Sequence, residues 1–108
     1  MQEEPHALRF EADAVGPAGK TRLVIVISPP YVTEKGDWAC LFELRGIAER
    51  EERREYYGVD ALQALVLNLY YLQSVFRRLQ KAGYGLHDVL SGEEISPEET
   101  FDVFTPKA

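Results

Sequence analysis

Leu8, Phe10 and Ala12 alternate with Arg9, Glu11 and Asp13, the period of a strand with one face buried and one in water. Gly16-Pro17-Ala18-Gly19 follows and reads as a turn. Thr21 to Ser28 centres on Leu23-Val24-Ile25-Val26-Ile27. Both alternating faces of that run are apolar and mostly β-branched, so it is predicted to be the central, most buried strand. Pro29-Pro30 closes it, because proline has no N–H for a ladder. Tyr31 to Gly36 reads as a loop. Asp37 to Arg45 reads as the next strand, with Trp38, Cys40, Phe42 and Leu44 on one face and Gly46 as its stop. The charged run from Ala48 to Glu55 fits an exposed helical turn or a hairpin connection into an edge strand ending at Tyr56-Tyr57. The strand is the favoured reading, since tyrosines suit a strand and charges protect an edge.

The next segment changes period. Leu62, Leu65, Leu69, Leu72, Phe76 and Leu79 recur at spacings of three and four, a stripe predicted to face the sheet. Asp60 is placed to cap this helix, with Gln63 three residues on as a capping box requires. Gly83 supplies the stop, and Arg77, Arg78 and Lys81 suit the negative end of the helix dipole. At ~1.5 Å per residue the rod is on the order of 34 Å long. Opposite the stripe lie Leu67 and Tyr71, extended by Ser74 and Arg78 and flanked by Tyr70. A cluster holding tyrosine and arginine has the composition of an interface anchor, so Leu67, Tyr70, Tyr71 and Arg78 form a candidate surface for a twofold homodimer. The alternative is that the C-terminal segment, through Phe101 and Phe104, folds over the same side.

Residues 84–108 form a strongly acidic segment. Ser96-Pro97-Glu98-Glu99 has the serine cap, first-turn proline and N3 glutamate of a helix start, and Phe101, Val103 and Phe104 are expected to dock it on the core. The whole chain reads as a single α+β domain with its core in residues 8–83. An antiparallel four-stranded meander packs against one long helix, with a short C-terminal element. The apolar second face of the central strand calls for cover from the C-terminal segment or a second subunit.

Composition narrows the function. The chain has 108 residues and a net charge of −6, which disfavours nucleic acid and anionic membrane surfaces as partners, since both are held by Lys and Arg. Cys40 is the single cysteine, so neither an internal disulfide nor a cysteine-rich metal site is expected. The first residues have no basic head and no apolar signal core, and the longest apolar run is far short of a membrane span. A cytoplasmic setting is the expectation.

No motif carries a reaction. Gly16 to Thr21 has a phosphate loop's flavour, but two residues separate Gly16 and Gly19 where a Walker loop needs four, and a strand follows instead of a helix. Cys40 lies mid-strand and reads as a buried structural thiol. His87-Asp88 lacks the spacing of a metal site. Glu51-Glu52 and Glu93-Glu94 sit in polar runs, without the apolar frame that raises a catalytic carboxyl's pKa. Tyr56-Tyr57 and Tyr70-Tyr71 are explained by packing. No catalytic residue, cofactor or metal ligand is assigned.

Gly36-Asp37-Trp38-Ala39-Cys40-Leu41-Phe42-Glu43-Leu44-Arg45-Gly46 and Tyr57-Gly58-Val59-Asp60-Ala61-Leu62-Gln63-Ala64-Leu65 together resemble a group of small bacterial domains of unknown function. Their pattern is Trp-x-Cys-x-Phe before a Tyr-Gly-Val-Asp-x-Leu-Gln-Ala-Leu helix start. The resemblance spans residues 8 to 83. It implies a bacterial source and lends no catalytic residues. Similar small bacterial proteins include immunity partners of toxins, and an acidic surface is suited to block a basic active site. Three functions follow in order of preference: a noncatalytic interaction module forming a homodimer, an immunity protein neutralising a toxin, and a small enzyme. The second motif also has a purely structural meaning as a strand-to-helix joint. Asp60→Ala is then expected to destabilise the fold by about 1 kcal/mol, the usual cost of a lost helix cap, as read by chemical denaturation; unchanged stability would remove Asp60 from that role.

Overall fold

A computed structural model of the protein describes residues 6–47 and 51–101. The first hairpin joins β1 (Leu8–Gly16) to β2 (Gly19–Ile27). Its register runs from Leu8 opposite Ile27 to Gly16 opposite Gly19, with Pro17-Ala18 as the two-residue turn. β3 (Tyr31–Val32), β4 (Trp38–Arg45) and β5 (Glu52–Gly58) follow, then α1 (Ala61–Lys81), β6 (Gly85–Asp88) and α2 (Pro97–Phe101). All pairings are antiparallel. The fold is α+β, with a sheet of six strands among the described residues where the sequence predicts four.

The four predicted strands form a meander in chain order, β1-β2-β4-β5, and the favoured edge strand ending at the two tyrosines is β5. Two strands are additional. β3 pairs with the start of β4 along the edge that β2 occupies further on, so it resumes the line of β2 after Pro29-Pro30. β6 adds on the far side of β1, opposite residues Ala12 to Val15. It holds one buried apolar side chain, Leu86, too few for an alternating pattern to show. Its approach depends on Gly16: a Cβ there would come within 2.5 Å of the Tyr84 ring.

The core lies between α1 and one face of the sheet. Ala12 and Ala14 of β1, Leu23, Ile25 and Ile27 of β2, and Cys40, Phe42 and Leu44 of β4 meet Leu72, Val75, Phe76 and Leu79 of α1. Phe76 packs on Phe10 at 5.4 Å between ring centroids, and Tyr71 meets Phe42 edge-on at 5.0 Å. The helix is therefore turned relative to the predicted stripe. Its buried residues are Ala64, Asn68, Leu72, Val75, Phe76 and Leu79. At about 100° per residue that set centres roughly 45° from the leucine stripe. Leu62, expected on the sheet, is 70% exposed. The cause is at the seam. Ala64 is small enough to let the helix start approach β5, and Asn68 is fully buried with its Nδ2 donating to the Cys40 carbonyl at 2.8 Å. Counting large apolar side chains gives neither residue weight.

The second face of the sheet carries no helix among the described residues. Val24, Val26 and Leu41 are half-buried there, screened by the ion pairs Arg22–Asp13 at 3.0 Å and Arg45–Glu43 at 2.5 Å. An antiparallel sheet tolerates water on one face. The C-terminal segment takes another course: Ile95 N–H donates to the Leu86 carbonyl at 2.7 Å, and α2 then lies against α1. Val103 and Phe104 lie outside the described residues.

Asn68→Asp is expected to cost ~3 kcal/mol or more at neutral pH, because it puts an unpaired carboxylate beside a carbonyl oxygen in the core. The loss should shrink on acidification as the buried carboxyl takes a proton. Denaturant titration at two pH values checks both, and a loss under about 1 kcal/mol at neutral pH would place the side chain in water.

Candidate functional site

The proposed helix surface divides. Tyr71 is not opposite the sheet: its ring lies on Phe42 and 5.4 Å from Tyr56, and its hydroxyl donates to Glu52 of β5. Arg78 donates to Glu52 at 2.8 Å and to the Tyr71 hydroxyl at 3.0 Å. Arg54 Nε reaches the same carboxylate at 3.1 Å, and its guanidinium stands 4.8 Å from the Tyr71 ring centroid. Glu52 thus gathers one phenol and two guanidinium groups. Burial opposes its ionisation, but these hydrogen bonds outweigh burial and hold its carboxyl below the ordinary range. Burial, then Glu52, pushes the Tyr71 phenol up. This cluster ties α1 to β5. Leu67 is half-buried on the flank next to it, and Tyr70 is 58% exposed.

Asp60 and Gln63 form the joint between β5 and α1. Asp60 Oδ1 accepts the Gln63 N–H at 2.7 Å, and Gln63 Oε1 accepts the Val59 N–H at 2.7 Å. The return bond reaches Val59, one residue before the position a capping box prescribes. Gly58 is needed here for closeness: a Cβ would stand 2.6 Å from the Ala64 amide nitrogen. The Tyr-Gly-Val-Asp sequence is explained by this turn.

The positions that carried possible chemistry are kept apart. Cys40 faces the helix side, its Sγ donating to the Ser28 carbonyl at 3.2 Å. Burial pushes its thiol pKa up, outweighing the opposing effect of the Ser28 side chain, the opposite of what activates a nucleophile. His87, opposite Asp13, is on the other face, with two strands intervening, so roughly 14 Å separates the two strands that carry them. Among the described residues no three His, Cys, Asp or Glu side chains are grouped as a metal ion would need. No helix of the described residues is long and apolar enough to cross a membrane.

A surface that sequence reasoning missed lies at the end of the sheet where β3, β4 and β5 meet. Tyr31 and Tyr57 flank Ala39 on the open face, and Val32 and Gly58 flank Trp38 one step along. Tyr31, Val32, Tyr57, Val59 and Leu62 are all exposed, Val59 at 81%. Glu55 is clasped between two phenols: Tyr31 donates to one oxygen and Tyr57 to the other, the latter at 3.1 Å. Burial, then the Glu55 hydrogen bond, pushes the Tyr31 pKa up to about 12, so the clasp stays protonated through the physiological range. A shallow cleft beside it is lined by Val32, Glu34, Lys35, Asp37 and Glu55 with the two tyrosines. The signal for this ledge was present in Tyr31-Val32 and Tyr57, but it depends on β3, which Pro29-Pro30 concealed.

A family model described as a domain of unknown function, DUF6968, matches residues 11–90. No curated protein and no solved structure matches the chain.

Glu52 sets an expectation for pH. Its folded pKa is depressed, so its stabilising contribution is present above the ordinary carboxylate range and is lost as pH falls through the folded value. Glu52→Gln should lower stability at neutral pH and flatten the acid limb of the stability profile. Urea midpoints measured from neutral to strongly acidic pH check this; parallel profiles for the two proteins would refute the account of the cluster.

Proposed function

We propose a noncatalytic protein-binding role for the ledge, from the premise that the chain belongs to the DUF6968 family, domains of unknown function. One observation carries the reading. Tyr31 and Val32 of β3 and Tyr57 of β5 stand exposed around one cleft at one end of the sheet, and Val59 and Leu62 are exposed where β5 passes into α1. A group of exposed aromatic and aliphatic side chains has the make-up of a contact surface.

The surrounding charge selects the partner. Glu34, Asp37, Glu55 and Asp60 stand among the apolar groups, against Lys35. A second copy docking by the same ledge would bring carboxylates onto carboxylates. The fitting occupant is a different protein with a basic surface around an apolar contact. Complementary charge of this kind speeds encounter and selects partners more than it adds affinity. A toxin whose basic site engages phosphates has that chemistry, and the chain's overall acidity favours the same class.

The test begins with tagged protein in native lysate, followed by purification of the retained partner and calorimetry on the isolated pair. Val32→Glu and Tyr57→Ala are expected to weaken the pair about tenfold or more while the circular dichroism spectrum is unchanged, and raised salt should slow association. A pair indifferent to both substitutions would overturn the ledge as the binding surface.

A further inference from the structure

β5 has one ladder partner, β4, among the described residues, and its other edge is unpaired. Such an edge is a template for another strand, and natural proteins commonly guard it with charge. The charges on this one are self-complementary. Arg53 and Glu55 share the open face, two residues apart, with Arg54 between them on the helix face. Arg53 is exposed and makes no ion pair among the described residues. Glu55 is held in place by the Tyr31 and Tyr57 hydroxyls, and a carboxylate so held still has lone pairs for a guanidinium. An exposed cation and an anion therefore lie two residues apart on one face of a strand whose outer edge has no ladder partner among the described residues.

We infer that this edge is a self-pairing surface. Two copies join β5 to β5, antiparallel, about a twofold axis at Arg54. That register sets Arg53 of each copy opposite Glu55 of the other, twice over, and Glu52 opposite Tyr56. Opposite charges facing each other across antiparallel strands stabilise the pair. Arg54 meets its own symmetry mate, but each is drawn back by Glu52 at 3.1 Å. The register one residue further on would oppose Glu55 to Glu55 and leave Arg53 opposite Tyr57, with no opposite charge facing it.

The helix supports the same assembly. α1 is oriented by Phe76 on Phe10 of β1 and by Tyr71 on Tyr56 of β5. Turning past Tyr71 by about 40° brings Leu67 to the side that overhangs the free edge. A twofold axis perpendicular to the sheet leaves both helices on one side of a continuous sheet, with their Leu67 flanks facing each other. Edge and helix flank form one surface, and the ledge at Tyr31, Val32, Val59 and Leu62 remains open in each copy. The inference stands independently of the ledge's role.

Mass measurement by light scattering or sedimentation tests the assembly. The wild-type chain is expected to be a dimer at high micromolar concentration. Arg53→Glu, which places glutamates opposite each other, should raise the dimer dissociation constant about tenfold or more. Arg53→Glu combined with Glu55→Arg should recover much of that loss. Arg54→Cys should form a disulfide-linked dimer under mild oxidation, because directly opposed Cα atoms lie within disulfide reach, while Glu11→Cys on the open face should not. The buried Cys40 does not compete. A monomer mass for the wild type overturns the proposal. So does a dimer that Leu67→Glu dissolves but in which Arg54→Cys fails to cross-link, since that dimer would be held by the helices alone. Val32→Glu should leave the mass unchanged, which separates this surface from the ledge.

Discussion

The rotation of α1 on the sheet decides what the rest of the molecule can present. It is fixed at three points. Phe76 rests on Phe10 towards β1, Tyr71 rests on Phe42 and Tyr56 towards β5, and between them the Asn68 amide donates to the Cys40 carbonyl. The last contact is costly. Asn68 Oδ1 has no hydrogen-bond partner among the described residues, and an unsatisfied buried oxygen costs about 1–3 kcal/mol. An apolar residue there would be tolerated at several rotations. The amide is satisfied, even in part, only where its donor meets that carbonyl, so it selects one seating of the helix.

That seating allocates the surfaces. One helix covers one face of the sheet, and the other face is left to Val24, Val26 and Leu41 beneath arginine–carboxylate pairs. The Glu52 cluster draws the helix over β5 far enough to half-bury Glu52 and Tyr56 on the inner side of that strand, yet leaves Arg54 exposed and the outer edge unpaired among the described residues. The same seating turns Leu62 out into water at the start of α1. The ledge and the free edge are therefore consequences of how the core closes.

Much of the fold was legible in the chain. Alternation in β1, the apolar run of β2 and the Trp38-Cys40-Phe42-Leu44 face of β4 each state their period plainly, and Gly58 to Gln63 announces the helix start. The missed strands are two and four residues long, too short to display a period, and each is held by its neighbour's ladder instead of its own pattern. The helix rotation was misread because a hydrophobic stripe weighs leucine heavily and alanine or asparagine hardly at all. Close approach of helix to strand rewards the small side chain, and one hydrogen bond can reward the polar one. Misplacing Tyr71 followed from the same error. The ledge was hidden because it is assembled from three elements, one of them unrecognised, and adjacency across strands leaves no mark along the chain.

Nuclear Overhauser contacts of the isotope-labelled protein test this seating of α1 most directly. The Tyr71 ring should show contacts to the rings of Phe42 and Tyr56, the Asn68 side-chain amide should show contacts to β4, and the Leu62 methyls should show none to the sheet. Leu62 methyl contacts to core residues of the sheet, with none from Tyr71 to Phe42, would mean that the helix sits as the leucine stripe alone predicts and would contradict the account.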